Sequence, residues 1–382
     1  MKSLHQTIAS SWVVRFMTSV RITVVCLALL FILTLWGTIY QIEFGLYPAQ
    51  ERFFNSLYFL IFNFIPFPGA RLVMGILFFN FLFVALFRFK YAWPNLGILI
   101  IHVGIMLFLL SGFVTLYHAV ETHLTLAENE GANVSRAYHD WELAVWKDST
   151  EKHKVVAFDS KNFTAGKVLN FSEFAVDVYV KKYYPHCKAF ASTDPAKPSE
   201  ALNASGIGIL EEEKASLDPV KNTPGGIFAL ADAGKISSEI ILFGAEIEPT
   251  SVLINGQKYF FMLRPKTYPL PFVVKLIDFR MQLHPGTQMA KSFESTVEVR
   301  TPELSRESII SMNNPLRHNE YTFYQSSYAI DPQRGEISTL AVVKNSGRVI
   351  PYIASGVTSL GLLYHFLAMI FPKLVKRSRA RK

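Results

Sequence analysis

Four apolar runs decide what this chain can become: Ile22–Tyr40, Leu72–Phe87, Leu96–Tyr117 and Tyr352–Phe371. A helix needs about 20 predominantly apolar residues to cross the roughly 30 Å hydrocarbon core of a bilayer, and each run approaches that length. The second run is short and carries Asn80. The apolar stretch Leu57–Ile65 would lengthen it, but Pro66 and Pro68 argue for an interfacial loop there. The first run, about 18 residues, is longer than a usual signal-peptide core. It ends in Trp36-Gly-Thr-Ile-Tyr40 rather than in a small-residue cleavage site, so it reads as a permanent anchor.

Charge gives the expected orientation. Lys2, Arg15 and Arg21 precede the first run, Arg88 and Lys90 separate the second and third, and six basic residues follow Pro372. No Asp or Glu shares these segments, which leaves 27 of the 38 basic residues against all 30 acidic ones elsewhere. Loops rich in Lys and Arg stay cytoplasmic, so both termini are expected inside and residues of about 118–350 outside. Trp36, Tyr40, Tyr117 and Tyr352 then fall at outer helix ends and Trp93 at an inner start, as an aromatic belt requires. The net charge of +8 thus reports topology; a nucleic-acid binder would need a basic stripe on the soluble part, which is net acidic.

Between Glu121 and Arg348 the apolar periodicity changes from helical to alternating. Candidate strands are Trp141–Trp146, Glu173–Lys181, Gly226–Leu230, Ile240–Phe243, Lys258–Leu263, Phe272–Arg280, Ser292–Arg300, Tyr321–Ala329 and Ile337–Lys344, punctuated by turns such as Asn255-Gly256 and Pro285-Gly286. Residues of about 191–238 are poorer in pattern and read mostly as loops. The expected fold is a membrane protein with four transmembrane α-helices in a 3+1 arrangement. A large external, mainly β domain, an antiparallel sandwich or barrel, is inserted between the third and fourth. The expected divisions are a cytoplasmic N-terminus at 1–21, three helices within 22–117 (about 22–40, 72–87 and 96–117), the external domain at 118–350, a fourth helix at 351–372 and a basic tail at 373–382.

His102 stands out within the third run. An imidazole at that depth is costly without a partner, and intramembrane ionisable residues are functional candidates. Neutral imidazole is also a common metal ligand, although a polar residue in a bundle often just hydrogen-bonds a neighbouring helix. His365 holds a comparable place in the fourth run. Counting at 1.5 Å per residue puts each roughly 9 Å from the inner boundary. His118 and His123 follow the third run and read as solvated; His5, His139, His153, His186, His284 and His318 lack metal-ligand spacing. Only Cys26 and Cys187 occur, with neither C-x-x-C nor C-x-x-C-H, so the chain is neither a thiol-disulfide oxidoreductase nor itself a c-type cytochrome. No nucleophile elbow, phosphate loop or dinucleotide fingerprint appears.

The densest local signal is Met312-Asn-Asn-Pro-Leu-Arg-His-Asn-Glu-Tyr-Thr-Phe-Tyr-Gln-Ser-Ser-Tyr328. Asn313-Asn-Pro315 initiates a turn. In the following strand Tyr321, Phe323, Gln325 and Ser327 share one face, and Thr322, Tyr324, Ser326 and Tyr328 the other. Polar-tipped aromatics on both faces suggest contact beyond a dry core, with an ordinary packed strand as the alternative. Asn313, Pro315, Tyr321, Tyr324 and Gln325 are therefore candidate partner-facing residues.

Together with Ser19-Val-Arg-Ile…Trp36-Gly-Thr-Ile-Tyr-Gln41, Phe53-Phe-Asn-Ser56, Leu96…His102-Val-Gly-Ile105, Phe293-Glu-Ser295 and Pro351-Tyr-Ile-Ala354…Gly361…His365-Phe366, this block resembles the ResB/CcsB proteins of system II cytochrome c maturation. The resemblance covers nearly the whole chain and looks like the stand-alone B subunit, since the five Trp are scattered and the partner's Trp-rich segment is absent. It implies a complex that moves haem b across the membrane and presents it for attachment to apocytochrome c. The implied partners are a ResC/CcsA-like membrane protein and a thioredoxin-like thiol reductant, with no nucleic acid. The implied location is the bacterial cytoplasmic membrane, with the large domain on the periplasmic side. His102 matches the family's transmembrane haem-ligating histidine, so haem iron is the expected metal; His365 is a second axial candidate because two ligands on opposite haem faces need similar depth. The chain would not be catalytic alone. Outside the resemblance, a cofactor-free membrane-anchored scaffold or receptor, or a transporter subunit for another substrate, fits the same pattern.

Overall fold

The long apolar runs become helices because in a bilayer every backbone polar group must be satisfied within its own segment. The computed structural model describes residues 11–148, 154–170, 174, 176–191, 202–217, 221–232, 235–287 and 290–379. His5, His153, and parts of the Glu173–Lys181 strand, the N-terminus and the basic tail lie outside the described residues. The chain divides into two units, Met1–Val120 with Lys344–Lys382, and Glu121–Val343.

The first unit holds α1 (Trp12–Met17), α2 (Val20–Phe44), α3 (Leu46–Ala49), α4 (Ala70–Phe83, continued by a π turn to Arg88), α5 (Leu96–His118) and α6 (Ile350–Arg379). Among the described residues four helical stretches are long and apolar enough to cross a membrane: Val20–Phe44, Ala70–Arg88, Trp93–His118 and Ile350–Ile370. Most of their apolar side chains are exposed in this unit, which suits lipid or another apolar partner.

Asn80 explains how the first helix is held. It is fully buried; its Oδ1 accepts from Thr23 Oγ1 at 2.7 Å and its Nδ2 donates to the carbonyls of Met17 (2.5 Å) and Ser19 (3.2 Å). Arg88 donates to the Thr18 carbonyl at 2.8 Å. The break between α1 and α2 exposes carbonyls that α4 satisfies, a use for a polar residue that an apolar helix otherwise excludes.

The stretch Leu57–Ile65 neither lengthens a helix nor stays irregular. It forms a hairpin of β1 (Tyr58–Ile61) and β2 (Ile65–Pro68), paired Tyr58↔Pro68 through Ile61↔Ile65. Phe59 and Phe67 pack on Trp36 at ring distances of 5.7 and 5.9 Å, and Phe53 lies under both Trp36 and Phe59.

The second unit is almost entirely antiparallel. In chain order its strands are β3 (Val120–Ala127), β4 (Gly131–Lys147), β5 (Val156–Asp159), β6 (Val168–Asn170), β7 (Asp177–Tyr184), β8 (Cys187–Ala191), β9 (Ile207–Glu212), β10 (Gly225–Asp232) and β11 (Lys235–Phe243). They continue as β12 (Thr250–Ile254), β13 (Gln257–Leu283), β14 (Ala290–Arg300), β15 (Ser305–Ser311), β16 (Leu316–His318), β17 (Tyr321–Asp331) and β18 (Gly335–Lys344). Among the described residues the large sheet runs β15-β14-β13-β4-β3-β18-β17-β16, with β12 and β5 at its sides; a second runs β11-β10-β7-β6, and β8 pairs β9.

The candidate strands Lys258–Leu263 and Phe272–Arg280 are two ends of one strand, β13. Pro265, Pro269 and Pro271 interrupt its pattern, and its pairing with β4 shifts register at Pro265/Thr267 and Pro269/Val274. Prolines cannot donate to a ladder, so the strand bends where they cluster and serves two cores. Phe261 and Leu263 enter one, with Phe228, Leu230, Ile240 and Leu242; Phe272, Val274 and Leu276 enter the other, with Val297, Phe323 and Leu340. Within the stretch 191–238, expected to be mostly loop, the candidate strand Gly226–Leu230 is the centre of β10, and β9 (Ile207–Glu212) is a further strand that alternates too briefly to read alone.

Candidate functional site

Helices α5 and α6 pack antiparallel through small residues. The buried residues of α5 are Gly97, Gly104 and Ser111, seven apart, and facing them are the buried Ala354 and Gly361. A Cβ on Gly104 would stand 2.1 Å from Thr358 Oγ1 and 2.9 Å from Thr358 N; one on Gly361 would stand 2.7 Å from Ile101 N. Small residues let backbones approach where lipid offers no hydrophobic drive for helix association.

This packing fixes the two histidines. His365 lies over Gly97, where a Cβ would be 2.7 Å from the His365 Cα. His102 is five residues further along α5, a rise of about 7.5 Å. The two are therefore offset along the helices, correcting the expectation of equal depth: apolar-run length sets whether a helix spans, whereas close approach of small residues sets its register. His102 also stands roughly 160° around α5 from Gly104. It points away from α6 and meets Phe81 of α4 edge-on, ring centroids 5.5 Å apart. The structure does not bring the two imidazoles to one site.

His102 is oriented by its own helix. Its Nδ1 lies 2.7 Å from the Ile98 carbonyl one turn earlier. A carbonyl only accepts, so Nδ1 is the donor, and in the neutral ring this leaves the lone pair on Nε2. No protein group among the described residues binds Nε2. Metal-ligating histidines characteristically donate their other ring N–H to a carbonyl or carboxylate, which fixes tautomer and ring direction. His365 has a different environment, with Nδ1 buried and unpartnered at the helix contact. Among the described residues no three His, Cys, Asp or Glu side chains gather as a metal-ion cluster needs.

His118 ends α5 and is exposed. His123, expected to be solvated, is half-buried: its ring lies 4.9 Å from that of Tyr138, and its Nδ1 is buried without a partner. Burial, and then the charge of Arg136 paired opposite it, hold its pKa below the usual value, so it stays neutral.

In the second unit, Asn313 is exposed in a turn closed by mutual hydrogen bonds of Ser311 and Asn314, and Pro315 is half-buried as it leads into β16. Tyr321 packs edge-on to Phe272 at 5.4 Å, Phe323 is fully buried, and Tyr324 is exposed. Gln325 turns inward. Its Oε1 accepts from Ser295 Oγ at 2.7 Å and its Nε2 donates to Ser338 Oγ at 3.1 Å, tying β17 to β14 and β18 through two fully buried serines. Tyr328 also reaches the core, stacking on Phe279 at 5.7 Å. It sits an odd number of residues from Tyr321, so the strand's alternation slips between them, where Gln325 Nε2 also donates to the Ser327 carbonyl. Of the five candidates for contact with a partner, Asn313 and Tyr324 are the outward ones.

Residues 246–366 match the model of the ResB-like family. That stretch includes β12–β18, the Asn313–Tyr328 block and His365, and it leaves His102 outside. The chain is 33% identical over 105 residues to Protein NrfI of Wolinella succinogenes, which covers 27% of this chain. The match spans only 11% of that relative's length. Together these matches support a ResB/CcsB-like protein.

Proposed function

We propose that the chain is the haem-handling and scaffold subunit of a membrane complex that matures c-type cytochromes. The ResB-like match and the likeness to NrfI support a role in cytochrome c biogenesis. The observation that supports haem handling by this chain is the His102 imidazole. It is held by Ile98 as the Nδ1–H tautomer, with Nε2 lacking a protein partner at a depth where an unused imidazole is costly. Bound haem would bring an iron whose axial ligands set its electronics and its reactivity toward an apocytochrome. The chain's own residues hold the ring by the Ile98 carbonyl and the edge of Phe81 and leave Nε2 available.

His365 stands apart from His102, so a second residue to hold the haem would come from another subunit, in this reading a ResC/CcsA-like membrane protein. The haem is haem b before attachment, apocytochrome c is the acceptor, and a thioredoxin-like reductant keeps its thiols reduced. The complex sits in the bacterial cytoplasmic membrane with both termini inside and Glu121–Val343 on the periplasmic side, following the basic residues of the flanks. Co-expression with such a partner and purification in detergent test the reading. A Soret band that shifts on reduction and stays with the complex is expected. A complex that forms without haem would instead make the chain a cofactor-free scaffold.

A further inference from the structure

Between the first two apolar helices, residues 57–68 run Leu-Tyr-Phe-Leu-Ile-Phe-Asn-Phe-Ile-Pro-Phe-Pro, with no charged side chain. Only one face of the hairpin they form is used within the unit, by Phe59 and Phe67 on Trp36. The tip and the other face are bare. Phe62 is 81% exposed, Phe64 71% and Tyr58 64%, with Leu60 and Ile65 also exposed.

Phe62 adds a second observation. Its φ is 51° and that of Asn63 is 63°, a turn with both central residues left-handed. The other described non-glycine residues with positive φ (Asn63, Asn129, Asn255 and Asn319) are all asparagines, which tolerate the region; a bulky aromatic does not. The Phe62 ring stacks at 6.4 Å on that of Phe64, itself 71% exposed, so most of the surface of this strained phenylalanine is left for contact outside the chain.

The edges say what lies outside. Pro66 and Pro68 pair with Leu60 and Tyr58, and having no N–H they leave the outer edge of β2 without donors. An edge lacking donors is a poor template for an added strand. It is also the edge that loses least on entering a medium without water. The Leu60 carbonyl accepts from Arg52 Nη2 at 3.1 Å, and the Leu57 carbonyl accepts from Gly69 N at 2.8 Å. The Arg52 guanidinium lies over the rings of Tyr40, Phe53 and Phe59, and Arg71 over Tyr117 at 4.7 Å. Aromatic rings and stacked cations at one end of apolar helices are the composition of the headgroup level.

We infer that the Tyr58–Pro68 hairpin is a membrane-inserting wedge that seats Phe62 and Phe64 in lipid at the headgroup–acyl boundary, beside the ends of α2 and α4. The inference takes those helices as membrane spans, and the test separates the two. The full chain is reconstituted into phosphatidylcholine vesicles containing a phosphatidylcholine with a diazirine near the glycerol end of one acyl chain. After illumination and trypsin, two peptides report separately: Phe53–Arg71 carries the hairpin and Leu72–Arg88 carries the second span. Both should be labelled. A diazirine at the acyl terminus should label Phe53–Arg71 several-fold less than the shallow probe does. Phe62→Asn, which suits the turn and so preserves the fold, should lower the hairpin's labelling a few-fold and leave Leu72–Arg88 unchanged. Labelled Leu72–Arg88 beside unlabelled Phe53–Arg71 would overturn the wedge while keeping the span, and would assign the hairpin to water or a protein partner. If neither peptide is labelled, both readings fail.

Discussion

Gly97 lies directly beneath His365: a Cβ at Gly97 would meet the His365 Cα at 2.7 Å. The same closeness recurs at Gly104 against Thr358, so α5 and α6 touch along a line of missing side chains. Gly97→Val and Gly104→Val should force the helices apart at about 1–3 kcal/mol each, seen as a lower unfolding temperature in detergent. Gly112 is the control, because nothing lies within 4 Å of its Cβ position. Gly112→Ala should be neutral or stabilising by up to about 1 kcal/mol. Equal losses at all three positions would mean that the contact line does not hold the pair.

The β17 strand separates two roles that adjacent tyrosines would otherwise share. Tyr321 is half-buried on Phe272, whereas Tyr324 is exposed. Tyr321→Ala should lower the thermal stability of the chain by about 1–3 kcal/mol through lost packing. Tyr324→Ala should leave stability within about 0.5 kcal/mol and weaken co-purification with the membrane partner. Normal co-purification of the Tyr324 variant would remove this strand from the interface. Gln325→Ala should resemble the Tyr321 variant, since it removes one hydrogen bond from each of the buried hydroxyls of Ser295 and Ser338 and leaves them their mutual contact at 2.8 Å.

Cys187 offers a pH test. Burial pushes its thiol from the ordinary 9.0 up to about 11. The folded state therefore disfavours the thiolate. The stabilisation this provides is full below the unfolded value of 9.0 and falls as pH rises through 9 toward about 11. Urea midpoints of the full chain should drop across that window, and Cys187→Ala should flatten the drop. Because the thiolate is the nucleophile, maleimide at about pH 8 should leave Cys187 unmodified until the domain unfolds. Rapid labelling of native protein would contradict its buried position.

Much of the first unit is written openly in the sequence. The four helices follow from apolar length, and their structural bounds differ from the runs by a few residues because helices extend past the apolar core. The strands that alternate strongly, such as those around Phe261, Val297 and Leu340, are equally legible. What escaped is register. Apolar runs gave His102 and His365 one depth, while Gly97, Gly104 and Gly361 set another; the seven-residue spacing of small residues was the available signal. The Tyr58–Pro68 hairpin escaped because its turn is Phe62-Asn63, and phenylalanine is a residue that no turn rule places at positive φ. Perfect alternation puts Tyr328 on the face opposite Tyr321, and a slip in the strand turns it to the core instead. Asn80 was visible, but its partners, the carbonyls of Met17 and Ser19, depend on a helix break more than sixty residues away.

The central claim is that His102 Nε2 ligates haem, with Ile98 holding the ring. The direct measurement is the haem content and absorption spectrum of the purified complex carrying His102→Ala, beside His365→Ala. The account predicts a stable His102→Ala complex with several-fold less haem, an altered Soret band that added imidazole partly restores, and little holocytochrome c; His365→Ala should keep most of its haem. A His102→Ala complex with unchanged haem content and spectrum would contradict it.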